Sequence, residues 1–529
     1  MRVGRPAVVF IGFMGAGKST ALTAARRLGL DTTEVDRLLE VEFDSTIPEA
    51  FERHGEEGFR AREAELVGSL LEEADGGAIA LGGGSVLSER IRAALDRHIV
   101  VWLQVDAKRA WSRIAGSDRP LATSAEDVER LLATRLPLYE ELADAVVPSG
   151  DRGIVERALP AIRTLADLPA GTKLLWASSD SGEYPVYVGR ELLGAVGREH
   201  VRGAEGYEDG LGGDWPLRGH RFLISDSAVA AAYADRLGEL AGRAEVDPGE
   251  GSKTMAAAEA VLREMAQAEL TREDHVLALG GGVVGDLAGL CAHLYQRGVP
   301  IVQLPTTVVA QVDSAYGGKT GVDLPEGKNY AGAYHLPAAV VADTATLATL
   351  PAAELAAGFV EVLKTGLLAG GALWERVRSI EALDPAQLDD VVFACARYKC
   401  EVVADDERDL GLRAALNLGH TVGHAIEAAS GYKRYRHGEA VGIGLLAALR
   451  LSGASDLREE TEAILRRHQL PVDLDPAIEV DSVLDALQRD KKRTAEGVGF
   501  VLLSEPGEPR VGQFLDPGDV RAAVEELYP

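Results

Sequence analysis

Short apolar runs that open into glycine-rich turns recur along the chain. Val8–Ile11 leads into glycines ahead of a helix predicted at 21–28. Residues 275–279 lead into three glycines at 280–282, and a further apolar run lies at 299–304. Strands that alternate with helices in this way are typical of α/β folds with parallel sheets. Glycines at strand ends let backbone amides approach a phosphate closely, so the pattern also indicates anion binding.

Length and a short linker predict the domain organisation. The chain has 529 residues, 46% of them hydrophobic, which is enough for two or more cores. A helix predicted at 151–165 is followed by residues 167–172, which contain Pro and Gly and are interpreted as a tether. We therefore predict one domain at 1–166 and another at 173–529.

Charge and cysteine content limit the partners and the compartment. The 83 acidic residues outnumber the 55 basic ones and give a net charge of −28. Nucleic acid is not an expected partner, because phosphate binding needs a basic face. No apolar run approaches the ~20 residues that span a membrane. The three cysteines form no CxxC pair, which predicts a reducing cytoplasm and, with the rest, small-molecule ligands.

A nucleotide-binding loop follows the first predicted strand. Residues 12–20 read GFMGAGKST, the GxxxxGK[ST] pattern between a strand and a helix. The loop amides cradle phosphates, Lys18 reaches the β and γ oxygens, and the Ser19 hydroxyl binds Mg²⁺. The expected ATP ligands are Gly12, Gly15, Ala16, Gly17, Lys18, Ser19 and Thr20. The pattern predicts binding of a nucleoside triphosphate and leaves the acceptor open.

The residues after this loop resemble shikimate kinase over about residues 5–165. The matching residues are Asp36, Arg60, Glu63, Gly82, Gly83, Gly84, Arg119 and Arg135. The resemblance implies that Asp36 takes the proton of the acceptor hydroxyl, and that Arg60 and Arg135 pair with the shikimate carboxylate. Glu63 would orient Arg60, and the three glycines would pass close to the shikimate ring. Arg119, on a lid at about 112–126, would meet the transferred phosphate of ATP.

Two questions about this half stay open at the level of sequence. Glu34 stands two residues before Asp36, where the family usually has aspartate, and a longer carboxylate still assists Mg²⁺ through water. The alternative interpretation is an ATP-binding regulatory module without kinase activity. The complete set of Asp36 and the three arginines argues against that alternative.

The second half resembles 3-dehydroquinate synthase over about residues 173–529. The motifs occur in order: GGGVVGD at 280–286, PTTVVAQVDS at 305–314, GGKTGVDLPEGKN at 317–329, EVLK at 361–364, GLRAALNLGHTVGHAIE at 411–427 and HGEAVGIG at 437–444. The resemblance implies an α/β NAD-binding part at about 173–345 and a mainly helical metal- and substrate-binding part at about 346–529. It also implies a homodimer formed through this half.

The dinucleotide side of this half is assigned by resemblance. The implied NAD ligands are Asp226, Glu250, Lys253, Gly281, Gly282, Asp286, Thr306, Thr307, Lys319 and Lys328. GGGVVGD is not the GxGxxG fingerprint, so the pattern by itself is weak support for NAD. Ala228 stands where the family usually has asparagine, which leaves one hydrogen bond on the adenosine side unassigned.

Histidines and a carboxylate predict a catalytic metal. His420 and His424 lie four residues apart and so share one face of a helix. His437 and Glu361 add a third imidazole and a carboxylate, and two His, one Glu and an open position make a catalytic zinc site. Spacing does not decide between His420 and His424 as the ligand. The resemblance selects Glu361, His420 and His437 for Zn²⁺ or Co²⁺ and leaves His424 to the substrate.

A basic set predicts a substrate with several negative charges. The resemblance implies that 3-deoxy-arabino-heptulosonate 7-phosphate contacts Arg297, Asp313, Lys319, Asn329, Lys364, Lys399, Arg413, Asn417, His424 and one of Lys491 and Lys492. The catalytic set implied for the two halves is Asp36, Arg119, Lys319, Lys364, Arg413 and His424. Asp409 stands where the family usually has glutamate, which shortens that carboxylate.

The implied reactions are two non-consecutive steps of the shikimate pathway. In the second half NAD⁺ takes a hydride from a secondary alcohol while the metal polarises the oxygen, and the resulting ketone lets phosphate leave by elimination. The hydride then returns and an aldol closure gives 3-dehydroquinate, so NAD is not consumed. The alternatives for this half are a glycerol-dehydrogenase-like NAD and zinc oxidoreductase or another sugar-phosphate cyclase.

Overall fold

A computed structural model describes residues 5–115, 124–150, 153–197, 219–409, 411–489 and 498–529. The chain divides into two compact units. The first contains the described residues up to Ala177 together with Pro185–Tyr187, and the second contains the described remainder. Within these ranges no helix combines the length and the apolar character needed to cross a membrane.

The first unit is a parallel sheet with flanking helices. Its strands are β1 Val8–Ile11, β2 Thr32–Glu34, β3 Ala78–Ala80, β4 Ile99–Gln104 and β5 Ala145–Pro148. Its helices are α1 Lys18–Arg27, α2 Val35–Phe43, α3 Ile47–Glu73, α4 Glu89–Leu95, α5 Ala107–Ile114, α6 Ala125–Leu142 and α7 Ile154–Arg163.

The strand order places the predicted loops side by side. The order is β2-β3-β1-β4-β5, and every pair along it is parallel. All four residues of β1 are buried, as a strand covered on both faces requires. Because β1 and β3 are neighbours, the turns after Ile11 and Ala80 leave the sheet at the same edge. In open parallel sheets ligands bind at the carboxyl edge, which is where both glycine-rich turns lie.

The next two strands along the chain are β6 Lys173–Ser179 and β7 Gly182–Gly189, and each has residues in both units. The second unit then builds a parallel sheet from β8 Arg221–Asp226, β9 Gly242–Val246, β10 His275–Gly280, β11 Ile301–Pro305 and a later strand, β14 Ala339–Asp343. Their order is β14-β11-β10-β8-β9. An antiparallel hairpin of β12 Lys319–Leu324 and β13 Gly327–Tyr334 precedes β14. The helices of this part are α8 Leu193–Gly197, α9 Ser227–Tyr233, α10 Met255–Gln267 and α11 Gly282–Leu294.

The rest of the second unit is mainly helical. Its helices are α12 Ala352–Ala369, α13 Gly371–Arg378, α14 Asp389–Asp405, α15 His420–Ala429, α16 His437–Leu451, α17 Ser455–Arg467, α18 Val480–Gln488 and α19 Pro517–Glu525. One hairpin, β15 Phe500–Leu503 with β16 Pro509–Gln513, precedes the last helix. The predicted fold class is therefore confirmed in both halves.

Some predicted boundaries differ from the structure. The helix predicted at 21–28 begins three residues earlier, at Lys18, because Gly17 ends the loop in the left-handed region at φ 96°. The helix predicted at 151–165 ends at Arg163 and passes into a 3₁₀ turn, Thr164–Asp167.

Candidate functional sites

The loop between β1 and α1 is shaped for a phosphate. Among the described residues no side chain caps the amino end of α1, so its first amides remain available to an anion. Lys18 Nζ donates to the carbonyl oxygens of Gly12, at 2.8 Å, and Phe13, at 3.1 Å. Ser19 Oγ donates to Glu34 Oε1. A hydroxyl and a carboxylate thus meet where Mg²⁺ is expected, and these oxygen donors suit that ion.

A carboxylate and an arginine converge on the second glycine-rich turn. Arg60 Nη1 donates to Glu63 Oε2 at 2.5 Å, and Ser85 Oγ donates to Glu63 Oε1 at 2.6 Å. A Cβ placed on Gly82 would lie 3.0 Å from Glu63 Oε1 and 3.1 Å from Asp36 Oδ1. A Cβ on Gly84 would lie only 2.3 Å from Arg60 Nη2. The absence of a Cβ at Gly82 and Gly84 therefore leaves space for the side chains of Asp36 and Arg60.

Arg135 reaches the same turn from α6. Its Nη1 donates to the carbonyl oxygen of Gly83 at 3.1 Å, and Tyr139, one helical turn later, donates to the same oxygen at 2.6 Å. Burial raises the pKa of Tyr139 to about 12, so its hydroxyl keeps its proton at neutral pH. The structure thus brings the expected residues Asp36, Arg60 and Arg135 to one edge of the sheet. Arg119 lies outside the described residues.

Two further side chains support this site and were not predicted from sequence. Arg113 donates to the carbonyl oxygen of Gly15 at 2.9 Å and to that of Ser149 at 3.0 Å. Ser149 Oγ in turn donates to Ala16 O at 2.8 Å, so both side chains hold the phosphate loop in place.

Tyr139 was not predicted from sequence either, and its four-residue spacing from Arg135 on one helix was the available signal. No sequence signal links Arg113 to Gly15, which lies 98 residues earlier.

In the second unit a cavity of about 780 Å³ lies at the carboxyl ends of the strands. A cavity of this size accommodates a cofactor or a small substrate. The expected site residues that line it are Glu250, Lys253, Gly282, Asp286, Lys328, Asn329, His424 and His437. Ser314, in the π-helical turn Ala310–Ser314, also lines it. Such turns are frequent at functional sites, and this one carries Asp313.

The dinucleotide side of the cavity has free donors and a fixed ion pair. The amino end of α11, a 13-residue helix that starts directly after Gly281, has no side-chain cap within the part of the chain that the structure describes. Lys253 Nζ lies 2.5 Å from Asp286 Oδ2. Burial lowers the pKa of Lys253, but the Asp286 carboxylate outweighs burial and raises it, so the ammonium group stays charged. Thr306 Oγ1 is buried without a hydrogen-bond partner among the described residues, which fits a bound cofactor.

Other expected dinucleotide residues make local contacts. Asp226 caps α9 by accepting from the amides of Ala228 and Val229. Thr307 Oγ1 accepts from the amide of Ala310 at 3.2 Å. Glu250 Oε1 lies 3.8 Å from Lys328 Nζ.

Three imidazoles and a carboxylate meet in the helical part. The ligand atoms of His420, His424 and His437 all lie within 4.8 Å of one another. Glu361 Oε1 lies 3.4 Å from His420 Nε2 and 3.6 Å from His437 Nε2. This oxygen is buried and makes no hydrogen bond to a described residue, as expected for an atom that serves a metal. Imidazole and carboxylate donors in this number suit Zn²⁺ or Co²⁺, so the residues present fit the expected metal.

The protonation states suit a metal site in part. Burial lowers the pKa of His420, which favours the neutral imidazole that a metal needs. Burial would lower the pKa of His437, but the nearby carboxylates of Glu361 and Glu427 outweigh burial and raise that pKa to about 9. Burial would raise the pKa of Glu361, whereas Lys364 and His420 hold it well below its usual range.

A buried network of opposite charges adjoins the metal-ligand cluster. Lys364 is 1% exposed, and its Nζ lies 2.5 Å from Glu361 Oε2 and 3.1 Å from Asp313 Oδ2. Lys399 Nζ donates to the other oxygen of Asp313. Burial lowers the pKa of Lys364, but the two carboxylates outweigh it and raise the pKa. Burial raises the pKa of Asp313, and the two lysines more than reverse that effect.

Three more expected substrate residues have partners of their own, two of them backbone carbonyl oxygens and one the carboxylate of Asp409. Arg413 Nη1 donates to Glu407 O at 2.5 Å, and its Nε is buried without a hydrogen-bond partner among the described residues. Lys319 Nζ lies 2.6 Å from Asp409 Oδ2, so the shortened carboxylate keeps a basic partner. Asn417 Nδ2 donates to Ala414 O at 3.0 Å.

Of the expected substrate residues, Asn329 and His424 line the cavity, and the other described ones do not line it. Arg297 lies on an exposed turn that precedes β11, at the amino edge of the sheet, whereas Gly280 and Pro305 end their strands at the carboxyl edge. Lys491 and Lys492 lie outside the described residues.

One carboxylate in the cavity was not predicted as a site residue. Glu427 is 3% exposed, and its Oε2 lies 3.2 Å from His437 Nδ1. It follows His420 and His424 at the seven-residue position of the same helical face, and that spacing was the available signal.

Family models match three consecutive regions of the chain. Residues 14–165 match shikimate kinase, residues 243–357 match the N-terminal part of 3-dehydroquinate synthase, and residues 358–493 match its C-terminal part. The 3-dehydroquinate synthase of Symbiobacterium thermophilum is 42% identical over 364 residues, which are 65% of this chain and 98% of that protein.

Two solved structures are similar to the second half. A 2-epi-5-epi-valiolone synthase from Streptomyces hygroscopicus, with NAD⁺ and Zn²⁺ bound, is 27% identical with a TM-score of 0.54 and covers 65% of this chain and 96% of its own. A 2-deoxy-scyllo-inosose synthase is 24% identical with a TM-score of 0.57, covers 67% and 99%, and shares the fold.

Proposed function

Because the chain belongs to the 3-dehydroquinate synthase family and carries a shikimate kinase domain before it in sequence, we propose a bifunctional enzyme of the shikimate pathway. The first half phosphorylates the 3-hydroxyl of shikimate with ATP. The second half converts 3-deoxy-arabino-heptulosonate 7-phosphate to 3-dehydroquinate and phosphate. The observation that carries the proposal is that each unit contains its own converging set of nucleotide, substrate and acid–base residues.

In the kinase half the chain supplies position and charge. The amides of α1 and Lys18 hold the ATP phosphates, and Ser19 would hold Mg²⁺, which shields the transferred charge when bound. Arg60 and Arg135 fix the shikimate carboxylate with paired hydrogen bonds. Asp36 then stands at the hydroxyl that attacks and accepts its proton. Glu63 holds Arg60 in place throughout, because its own carboxylate is anchored by Ser85.

In the synthase half Glu361, His420 and His437 would hold Zn²⁺ or Co²⁺. The bound metal supplies Lewis acidity at a substrate oxygen, and bound NAD⁺ supplies a reversible hydride acceptor. A relative that is 27% identical binds NAD⁺ and Zn²⁺, which supports both cofactors here. The amino end of α11 and Lys253 position the dinucleotide at the cavity.

The buried charge network then serves the substrate. Lys364, Lys399 and Arg413 offer positive charge to the carboxylate and hydroxyls, and Asp313 keeps the two lysines apart and oriented. Lys319 offers a further positive charge to the substrate, while Asn329 and His424 line the cavity, where His424 is placed to exchange a proton with the substrate. A simple alcohol dehydrogenase has little use for so many buried cations, so the cyclase is the better reading of this site.

We also propose domain bounds of 1–166 and 173–529 with a linker at 167–172. The shikimate kinase match ends at residue 165, close to the proposed bound. The main segment of the first compact unit ends at Ala177, so it includes the linker and the first five residues of the proposed second domain.

A homodimer through the synthase half is a further proposal, supported by Arg297. Its turn is separated from Gly282 by the whole of α11, which at 13 residues is ~20 Å long. Because Arg297 lies at the amino edge of the sheet, away from the cavity of its own chain, it contributes to a substrate site only in a second copy of the chain. We expect sedimentation to give twice the 56.1 kDa mass of the chain. A fully active monomer would contradict this proposal.

Metal removal separates the two activities. We expect a chelator to abolish dehydroquinate formation and added Zn²⁺ or Co²⁺ to restore it, because the imidazole and carboxylate cluster lies in the second unit alone. Phosphate release from the heptulosonate phosphate measures the synthase, and ADP formation with excess Mg²⁺ measures the kinase.

Two outcomes would count against this function. Full synthase activity in metal-free protein would exclude a catalytic metal. Steady accumulation of NADH during turnover, followed by its absorbance, would indicate a dehydrogenase, because the proposed cycle returns the hydride.

A further inference from the structure

Resting on the proposed synthase function, we infer that Glu427 is a positioning residue that orients His437 for the metal and joins the metal site to the dinucleotide side. Glu427 lies on α15 and is 3% exposed, whereas the side chain of His437 is 37% exposed. A half-exposed imidazole has rotational freedom, and a buried carboxylate against one of its nitrogens removes that freedom.

The two nitrogens of His437 face two different carboxylates. Nδ1 lies 3.2 Å from Glu427 Oε2, and Nε2 lies 3.6 Å from Glu361 Oε1. Of these two contacts only the one at Nδ1 is within hydrogen-bond distance, and a carboxylate can only accept, so the proton of the neutral ring belongs on Nδ1 and the lone pair on Nε2. Nε2 is the nitrogen that points toward the expected ligand Glu361. Glu427 therefore selects the tautomer and the ring orientation that a metal requires.

The second oxygen of Glu427 points to the dinucleotide side. Lys328 Nζ, on β13, lies 3.2 Å from Glu427 Oε1 and 4.8 Å from the centre of the Tyr432 ring. The same ammonium group lies 3.8 Å from Glu250, another expected NAD contact. One buried carboxylate thus divides its two oxygens between a metal ligand and a residue of the NAD site.

If Glu427 only held α15 and α16 together, replacing it would lower the stability of the protein and would leave metal binding unchanged. The positioning role predicts a change in the metal itself. Full-length protein and the Glu427→Gln variant are stripped with a chelator and titrated with Co²⁺ alone, in competition with a chromophoric chelator and without NAD. We expect the variant to bind Co²⁺ about 10- to 100-fold more weakly, with altered cobalt absorption bands.

Glu439→Gln is the matched control. Glu439 lies two residues after His437 on α16, and its carboxylate contacts Arg436 rather than an imidazole. Its Co²⁺ affinity and spectrum should equal those of the unaltered protein. Glu427→Asp is the second test variant, since it keeps the charge and draws the carboxylate back by one methylene, and it too should weaken Co²⁺ binding.

Cooperative unfolding shows that a Glu427 variant is folded. If a folded variant binds Co²⁺ with the affinity and the absorption spectrum of the unaltered protein, the inference is overturned. Lower melting temperature with an unchanged cobalt spectrum would assign Glu427 to stability alone and would overturn it equally. The proposed function is judged separately, by dehydroquinate formation in the unaltered protein. A chain that binds Co²⁺ as described but forms no dehydroquinate would refute the function and leave the role of Glu427 standing.

Discussion

Replacing Lys18 with alanine is expected to lower kcat/KM for shikimate phosphorylation by about a hundred- to a thousandfold or more. Lys18 Nζ donates to two carbonyl oxygens of the loop, those of Gly12 and Phe13, and so also holds the loop in shape. Alanine removes the charge that meets the phosphate and both of these contacts. The measurement is ADP formation coupled to shikimate, at saturating ATP and Mg²⁺.

Dehydroquinate formation by the same variant is expected to stay unchanged, because the synthase residues belong to the other compact unit. Lys108→Ala is the matched control: this lysine lies on α5 in the same unit and is exposed. Loss of both activities in Lys18→Ala would contradict independent domains. An unaltered kinase rate would contradict the assignment of the loop.

Apolar runs that end in glycines were sufficient to predict individual strands of the sheets. β1 occupies the residues expected of it, and β10 differs by one residue, because a buried strand followed by a glycine turn is a local pattern. The ends of helices were harder to predict from the sequence. The start of α1 depends on the left-handed Gly17, and α3 runs on past a break at Gly55, where φ is 69°. Such single backbone angles depend on packing that a sequence pattern does not record.

The candidate sites divide in the same way. His420 and His424 were predictable because one helix carries both. Spacing also places Glu427 on their face but does not assign it a role, since three other elements decide what meets that face: His437 begins α16 and Lys328 belongs to β13, while Glu361 belongs to α12. Contacts between elements far apart in sequence follow from tertiary packing, and periodicity within one element cannot predict them.

Gly438→Ala is expected to lower synthase activity by about a hundredfold or more, because a 1 Å displacement near the chemistry already costs that much. A Cβ on Gly438 would lie 1.8 Å from the backbone oxygen of Ala357, on α12. The two helices must therefore move apart, and they carry Glu361 and His437. The unfolding free energy of the second unit should fall by about 3 kcal/mol, at the upper end for overpacking, since a backbone atom cannot rotate away.

Gly442→Ala provides the control on the same helix. A Cβ there would meet only side-chain atoms, Leu465 Cδ2 at 3.3 Å and Val360 Cγ2 at 3.6 Å. Replacing a helical glycine with alanine favours the helix by up to about 1 kcal/mol, which offsets a mild contact. Urea unfolding and phosphate release therefore separate the two variants, and the kinase rate should be normal in both. Wild-type synthase activity in Gly438→Ala would show that the spacing of α12 and α16 does not set the metal-ligand geometry.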